Sequence, residues 1–368
     1  MCAVASGNRM EIDMTDAAKI DPNFKIETGV SREGLAFFDA QCAPIKLYGV
    51  FHDGELYRRV PADVAEKTNP GVVTLATNTA GGRVRFITDS PYIVIKAIMP
   101  PEPKYSHMPR TAESGFDMYI TKDKKHKRLK TFVPPVKFDG GYDGVYDFTG
   151  EAENRLITIN FPLYNPLYEL YIGIKEGSSL LPPDEYTIEA PILYYGSSIT
   201  QGGCASRPGT SYEAIISRQY DANYVNLGFS GNGKGESAMA EYIAEQKMSC
   251  FVYDYDHNAP TIEHYEKTHE PFFKTVREKN PELPIVIMTR PKGKAVLSEG
   301  EFKRIDVARA TYENAKARGD KNVYFIPGYE LAHIESDEGT VDGTHPTDLG
   351  FYFMAQRLSE TLDVIFSK

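Results

Sequence analysis

The sequence predicts an α/β protein in which a β-sandwich of jelly-roll type precedes a parallel sheet with helices on both faces. Three observations predict it. From about Phe24 to Tyr186 the chain consists of short alternating or β-branched runs, bounded by Gly, Pro, Asn or Asp. From about Ala190 onward, strand-like and helix-like runs alternate, which is the pattern of a parallel sheet covered by helices. The length, 368 residues, favours two cores over one. The expected division is a loose tail over 1–21, a sandwich over 22–186 and an α/β unit over 187–368.

The sandwich runs, in order, are Gly71–Ala76, Val84–Thr88, Tyr92–Ala97, Phe116–Ile120, Arg155–Phe161 and Tyr168–Ile174. Each is short enough for a strand, and no long helical pattern interrupts them. Lys122–Arg128 is a basic run between two of these strands. It reads as a solvated hairpin tip, with a grip on an acidic glycan as the functional alternative. The chain has 24 Tyr, 19 Phe and no Trp. Most of these aromatics read as strand core rather than sugar platforms.

In the second half the expected strands are Pro191–Tyr195, Tyr224–Leu227, Cys250–Asp256, Pro284–Thr289 and Asn322–Ile326. The expected helices are Gly209–Gln219, Gly235–Gln246, Ile262–Lys279, Glu299–Arg318 and an amphipathic Leu349–Phe366. Pro281, Pro284 and Pro327 fall at element edges, where the missing N–H is tolerated.

Bulk properties narrow the function classes. A net charge of −10 argues against a nucleic-acid partner, which would call for a basic face. No apolar run reaches about 18 residues, so no membrane span is expected. Met1–Ile20 is polar and mixed, unlike a signal peptide; a secreted or periplasmic chain with its leader removed is expected over a cytoplasmic one. The four cysteines, Cys2, Cys42, Cys204 and Cys250, are scattered with no CxxC pair, which predicts neither a zinc site nor a disulfide framework. Cys204 reads as a small filler beside a site, and Cys250 as core. His257 beside Asp254 and Asp256 lacks a second histidine at ligand spacing, so no metal and no cofactor are expected.

In a parallel sheet the reactive groups gather beyond the carboxyl ends of the strands. The first expected strand runs into Gly196-Ser197-Ser198, and the second into Gly228-Phe229-Ser230-Gly231-Asn232-Gly233. His257-Asn258 comes after the third, Arg290 after the fourth, and a longer loop ending in Asp342-Gly343-Thr344-His345-Pro346 after the fifth. Each block by itself reads equally as a turn. Together they supply a nucleophile, a base, an orienter and oxyanion donors on one edge. Ser198 needs a base to attack a carbonyl. His345 is that base, since an imidazole exchanges protons near neutral pH. Asp342 is placed to hold its far nitrogen. The backbone N–H groups of Ser198 and Gly231 and the amide of Asn258 are the candidate oxyanion donors. Arg207, Arg290 and Asn232 are candidate substrate contacts, with salt bridges inside the loops as the alternative for the two arginines. Thr347 is placed to cap the last helix.

Gly196-Ser197-Ser198-Ile199-Thr200, with Gly231, Asn258 and Asp342-x-x-His345, resembles the SGNH (GDSL) hydrolase superfamily. The four hallmark residues of that group fall on Ser198, Gly231, Asn258 and His345, in order. The resemblance implies a flavodoxin-like fold for 187–368. Two departures stand out. Ser197 occupies the place of the aspartate in the usual Gly-Asp-Ser-Leu block, and Asp256-His257-Asn258-Ala259 keeps only the asparagine of the usual Gly-x-Asn-Asp block. Gly202–Gly209 and Asn226–Gly233 are similar to a bacterial subgroup with an N-terminal β-sandwich and a Gly-x-Asp-Leu-Tyr signature. Gly115-Phe116-Asp117-Met118-Tyr119 matches that signature except at Met118. The resemblance implies a serine esterase acting on small acyl groups, most often acetyl on carbohydrate. A lipid or thioester acylhydrolase and a non-catalytic carbohydrate-binding protein are the alternatives, and the partner expected is an acylated carbohydrate or other small ester.

Overall fold

The computed structural model describes residues 29–332, apart from 102 and 104, and residues 337–367. The expected tail over 1–21 lies outside the described residues. The sandwich strands are β1 (Leu35–Asp39), β2 (Lys46–Tyr48), β3 (Phe51–His52), β4 (Tyr57–Arg58), β5 (Arg83–Thr88), β6 (Tyr92–Ile98), β7 (Phe116–Lys122), β8 (Lys125–Phe132), β9 (Tyr142–Asp147), β10 (Arg155–Asn160), β11 (Glu169–Lys175) and β12 (Leu180–Leu181). One sheet has the order β1-β11-β6-β9. The other has the order β12-β5-β10-β7-β8, with β2 also on β5. Val84, Phe86, Met118, Ile157 and Ile159 of one sheet face Ile93, Ile95, Ile172 and Ile174 of the other in a single buried cluster. The period-2 alternation of each strand places these side chains on one side. The basic run sits at the β7–β8 hairpin, whose turn residues Asp123 and Lys124 both have positive φ. Such a turn matches the strand twist.

One expected strand is a helix. Gly71–Leu75 lies in α2 (Pro70–Leu75), with Ala76 as its C-cap, and α2 comes after α1 (Ala62–Thr68). Asn69 is extended and its side chain accepts the Val72 N–H, while Pro70 is pre-set for the first turn. Val72 and Leu75, three apart, then bury one face. Tertiary packing of that face overrides the β-propensity of Val72-Val73-Thr74.

The second half is a five-stranded parallel sheet of order β14-β13-β15-β16-β17. Its strands are β13 (Ile188–Gly196), β14 (Ala222–Gly228), β15 (Cys250–Asp254), β16 (Ile285–Met288) and β17 (Val323–Ile326). Both faces are buried, so successive residues serve different cores. Ile192, Tyr194, Cys250, Val252, Val286 and Met288 face one side, and Leu193, Tyr195, Phe251, Tyr253, Ile285 and Ile287 the other. Between α2 and the parallel sheet the short α3 spans Arg110–Glu113. The helices of the second half are α4 (Ser198–Gln201), α5 (Tyr212–Tyr220), α6 (Ser237–Ala244), α7 (Ile262–Lys279), α8 (Glu299–Ala317), α9 (Gly328–Ala332) and α10 (Asp348–Phe366). Helices α5 and α10 cover the first face through Tyr212, Ile216, Phe351, Met354 and Leu358. Helices α6, α7 and α8 cover the second through Met239, Ile243, Phe272, Val276 and Ala308.

The two halves share these cores. Ala65, Val72 and Leu75 of α1 and α2 pack in the second cluster, and Met108, Ala112, Leu163 and Tyr164 in the first. Arg59, 2% exposed, makes a second tie. Its guanidinium donates to the carbonyls of Leu75 and Asn78 and, across the junction, to those of Asn226 and Gly228 at the end of β14. It also lies over the Phe229 ring. Burial lowers its pKa to about 9.

Candidate active site

The site begins where β13 ends. Gly196 is fully enclosed: a Cβ there would meet Asp254 Oδ1 at 1.9 Å and Thr200 Oγ1 at 2.3 Å. Only glycine lets the strand end pass so close to β15. Ser197 is extended, and its hydroxyl accepts the Ile199 N–H at 3.1 Å. It caps α4, which starts at Ser198. The Ser198 backbone N–H, first in that helix, has no protein acceptor among the described residues.

Ser198 Oγ lies 2.9 Å from His345 Nε2. His345 Nδ1 lies 2.8 Å from Asp342 Oδ2. The other carboxylate oxygen accepts the backbone N–H groups of Thr344 at 3.0 Å and His345 at 2.8 Å. Burial works against charge on Asp342, but the His345 N–H and ring outweigh it and hold the carboxyl at about 2. Ionised Asp342 keeps its proton-bearing partner at Nδ1, which leaves the Nε2 lone pair toward Ser198. The loop is closed by the Thr340–Pro346 bridge and by Val341 N–H donating to the His345 carbonyl. Thr347 caps α10 through the Gly350 N–H, as its position suggests.

Gly231 has a φ of 67°, in the left-handed region that favours glycine, and nothing lies within 4 Å of its Cβ position. Its N–H has no protein acceptor among the described residues. The Asn258 side chain donates to the Phe229 carbonyl at 3.1 Å. That contact ties the turn after β15 to the turn after β14, and it uses one of the two amide hydrogens.

Two family profiles cover most of the chain. That of the GDSL-like lipase/acylhydrolase family matches residues 189–363. That of the GxDLY domain, the N-terminus of SGNH-hydrolase-type esterases, matches residues 35–180. A protein described as a GDSL-like lipase from Bacteroides ovatus is 30% identical over 90% of this chain and 98% of its own, with a TM-score of 0.81. The chain belongs to the GDSL-like lipase/acylhydrolase family. The salicylyl-acyltransferase SsfX3 from a tetracycline biosynthetic pathway shares the fold at 18% identity, covering 91% of this chain and 98% of its own, with a TM-score of 0.74. So does a family two carbohydrate esterase from Clostridium thermocellum, at 15% identity over 79% of this chain and 94% of its own, with a TM-score of 0.58. No curated protein matches the chain.

The GxDLY signature has a physical reading in this GDSL-like acylhydrolase. Along β7, Phe116 and Met118 point into the sandwich core. Asp117 and Tyr119 point the other way, and both accept from the Arg207 guanidinium, Asp117 at 2.7 Å. Asp117 also accepts the Gly209 N–H at 3.0 Å and the Asn160 amide at 2.8 Å. A Cβ on Gly209 would meet the Tyr119 hydroxyl at 2.4 Å. The signature thus docks the sandwich on the loop just past the Ser198 turn.

Arg207, a candidate substrate contact with a salt bridge as the alternative, is engaged by Asp117 and Tyr119 of β7. The Arg290 guanidinium likewise pairs with Glu301. Asn232 shapes its own turn, donating from its side chain to the Ser230 carbonyl at 2.8 Å and accepting from Asn69 at its backbone carbonyl. Sequence reasoning missed a buried layer beneath the site. Thr200 donates to Asp254. Gln201 accepts the Ser230 N–H at 3.0 Å. Asn226 donates to the Thr200 carbonyl at 2.6 Å. Tyr164 donates to the Ser198 carbonyl at 3.1 Å. The burial of Asp254, with Asp256 nearby, pushes its carboxyl well above the ordinary range. The Thr200–Asp254 pair was detectable in principle, as polar residues flanking two strand ends; the Tyr164 contact, made across the junction of the halves, carries no sequence signal. His257 Nδ1 lies 3.6 Å from Asp256 Oδ1.

Proposed function

We propose that the chain is a serine esterase that removes small acyl groups, acetyl foremost, from a carbohydrate through an acyl-serine intermediate. The observation that carries the reading is the unbroken hydrogen-bond chain Ser198–His345–Asp342. His345 Nε2 takes the Ser198 proton as Oγ bonds to the acyl carbon, and Asp342 stabilises the imidazolium. The oxyanion is met by the N–H groups of Ser198 and Gly231 and by the second Asn258 amide hydrogen. His345 returns the proton to the departing sugar oxygen as the ester C–O bond breaks, which leaves acyl-Ser198. Water then gives a proton to His345 as its oxygen bonds to the acyl carbon; the C–Oγ bond breaks, His345 returns the proton to Ser198 Oγ, and the carboxylic acid leaves. None of these steps calls for a metal.

The small-acyl preference is supported by the Gly-, Ser- and Asn-rich composition of the turns around Ser198, which offers no apolar run for a long acyl chain. A chain-length series of acyl esters separates this reading from a lipid or thioester acylhydrolase; rising kcat/KM with chain length overturns it. Hydrolysis of an aryl acetate by wild type and by Ser198→Ala tests the nucleophile. The variant is expected to lose on the order of 10⁴-fold or more, and equal rates would remove Ser198 from the chemistry. Carbohydrate is the expected alcohol component, a reading supported by the fold shared with the Clostridium thermocellum carbohydrate esterase; acetate release from acetylated glycans tests it.

A further inference from the structure

Three side chains from distant segments converge beside Ser198. His107 belongs to the sandwich half, in the stretch before α3. Cys204 lies just past α4, and His345 precedes α10. Each offers one ligand atom, and these atoms all lie within 4.8 Å of one another. The His107 and His345 rings are 5.2 Å apart. Cys204 Sγ lies 3.5 Å from the His107 carbonyl, and the backbone of this buried residue is held at a φ of 71°. His107 is exposed, and its ring contacts are with Tyr105 and His345. We propose that His107, Cys204 and His345 form a site for a borderline-soft divalent cation such as Zn²⁺, and that its occupancy switches the enzyme off.

The donor set, two imidazoles and one thiolate, is one that Zn²⁺ takes readily, with water in the fourth position. Bonds of about 2.0–2.3 Å call for ligands somewhat closer together than they stand, and exposed His107 is the member free to turn inward. Asp342 already holds His345 Nδ1, which is the carboxylate–histidine pairing that orients a metal-binding imidazole. Nε2 is then the coordinating nitrogen. On binding, the Cys204 S–H proton goes to solvent and an S–metal bond forms. The Nε2 lone pair that would receive the Ser198 proton is occupied. Inhibition rests on the reading of His345 as the base; binding does not.

Co²⁺ titration of Ser198→Ala reads binding without turnover. One equivalent should bring up a thiolate-to-cobalt absorption and tetrahedral d–d bands. These should be lost in Ser198→Ala with Cys204→Ser, and should need at least about 10-fold more metal with His107→Ala. In the wild type, Zn²⁺ should suppress aryl acetate turnover, a chelator should restore it, and Ca²⁺ and Mg²⁺ should do neither. His107→Ala and Cys204→Ser should keep the metal-free rate and raise the half-inhibitory Zn²⁺ concentration at least about 10-fold. Absence of the thiolate band, or equal Zn²⁺ sensitivity in both variants, overturns the inference and leaves the esterase reading standing. A normal band in a protein with no esterase activity keeps the cation site and overturns the function.

Discussion

Ser197 shows how a departure from the usual block is accommodated. Its hydroxyl caps α4 through the Ile199 N–H, so the turn keeps a side-chain acceptor where aspartate would stand. Asn258 keeps one amide hydrogen on Phe229 and has one to give. Asn258→Ala should lower kcat on the order of 10²–10³-fold with little change in KM, measured on an aryl acetate; unchanged turnover would take it out of the oxyanion site. Asp342→Asn should lower kcat on the order of 10³–10⁴-fold, because the amide favours the wrong imidazole tautomer. The same substitution has a pH signature. The folded-state pKa of Asp342 is depressed from 3.8 to about 2, so its contribution to stability is fully present above 3.8 and fades as pH falls toward 2. Melting curves from pH 6 to 2 should show the gap between wild type and Asp342→Asn closing in that window; a constant gap would contradict the assignment.

At the scale of elements, the Ser198 turn is set by the close packing of β13, β15 and α4. Gly196 leaves no room for a methyl group between Asp254 and Thr200. Gly196→Ala should therefore cost about 1–3 kcal/mol through overpacking, read from the denaturant midpoint. It should also lower kcat more than it raises KM, since a displaced Ser198 loses its alignment with His345. Wild-type stability and turnover in the variant would show that the turn tolerates what the geometry forbids. Helix α2 teaches the complementary lesson. Val72-Val73-Thr74 is strand-like by composition, yet the Asn69 cap and Pro70 start a helix whose buried face meets the parallel sheet. A local pattern of three residues cannot report which distant surface will cover it.

At the scale of the molecule, the sandwich holds the site loops. Asp117 and Tyr119 grip Arg207, and Arg59 grips the carbonyls at the end of β14, just ahead of Gly231. The Asp117 side chain is fully buried and that of Arg207 is 22% exposed. Asp117→Ala leaves a partly buried guanidinium short of its carboxylate and should cost about 3–5 kcal/mol. The change should appear as a lower thermal midpoint and faster proteolysis at the junction of the halves. An unchanged midpoint would reduce the signature to a surface contact.

Much was legible in the sequence alone. The switch from period-2 runs to alternating strands and helices placed both layers, because periodicity is a local consequence of burial on one face or two. Ser198, Gly231, Asn258, Asp342 and His345 were legible as candidates because parallel strands send all their C-terminal loops to one edge. The tertiary structure alone decided the partners. Along the chain Arg207 and Arg290 read either as substrate contacts or as salt-bridge partners, and the structure pairs them with Asp117 and Glu301. Tyr164 and His107 come to Ser198 and His345 from the other half. These contacts join residues far apart along the chain, and whether a polar side chain is spent or free depends on surfaces that meet only after both halves have folded together.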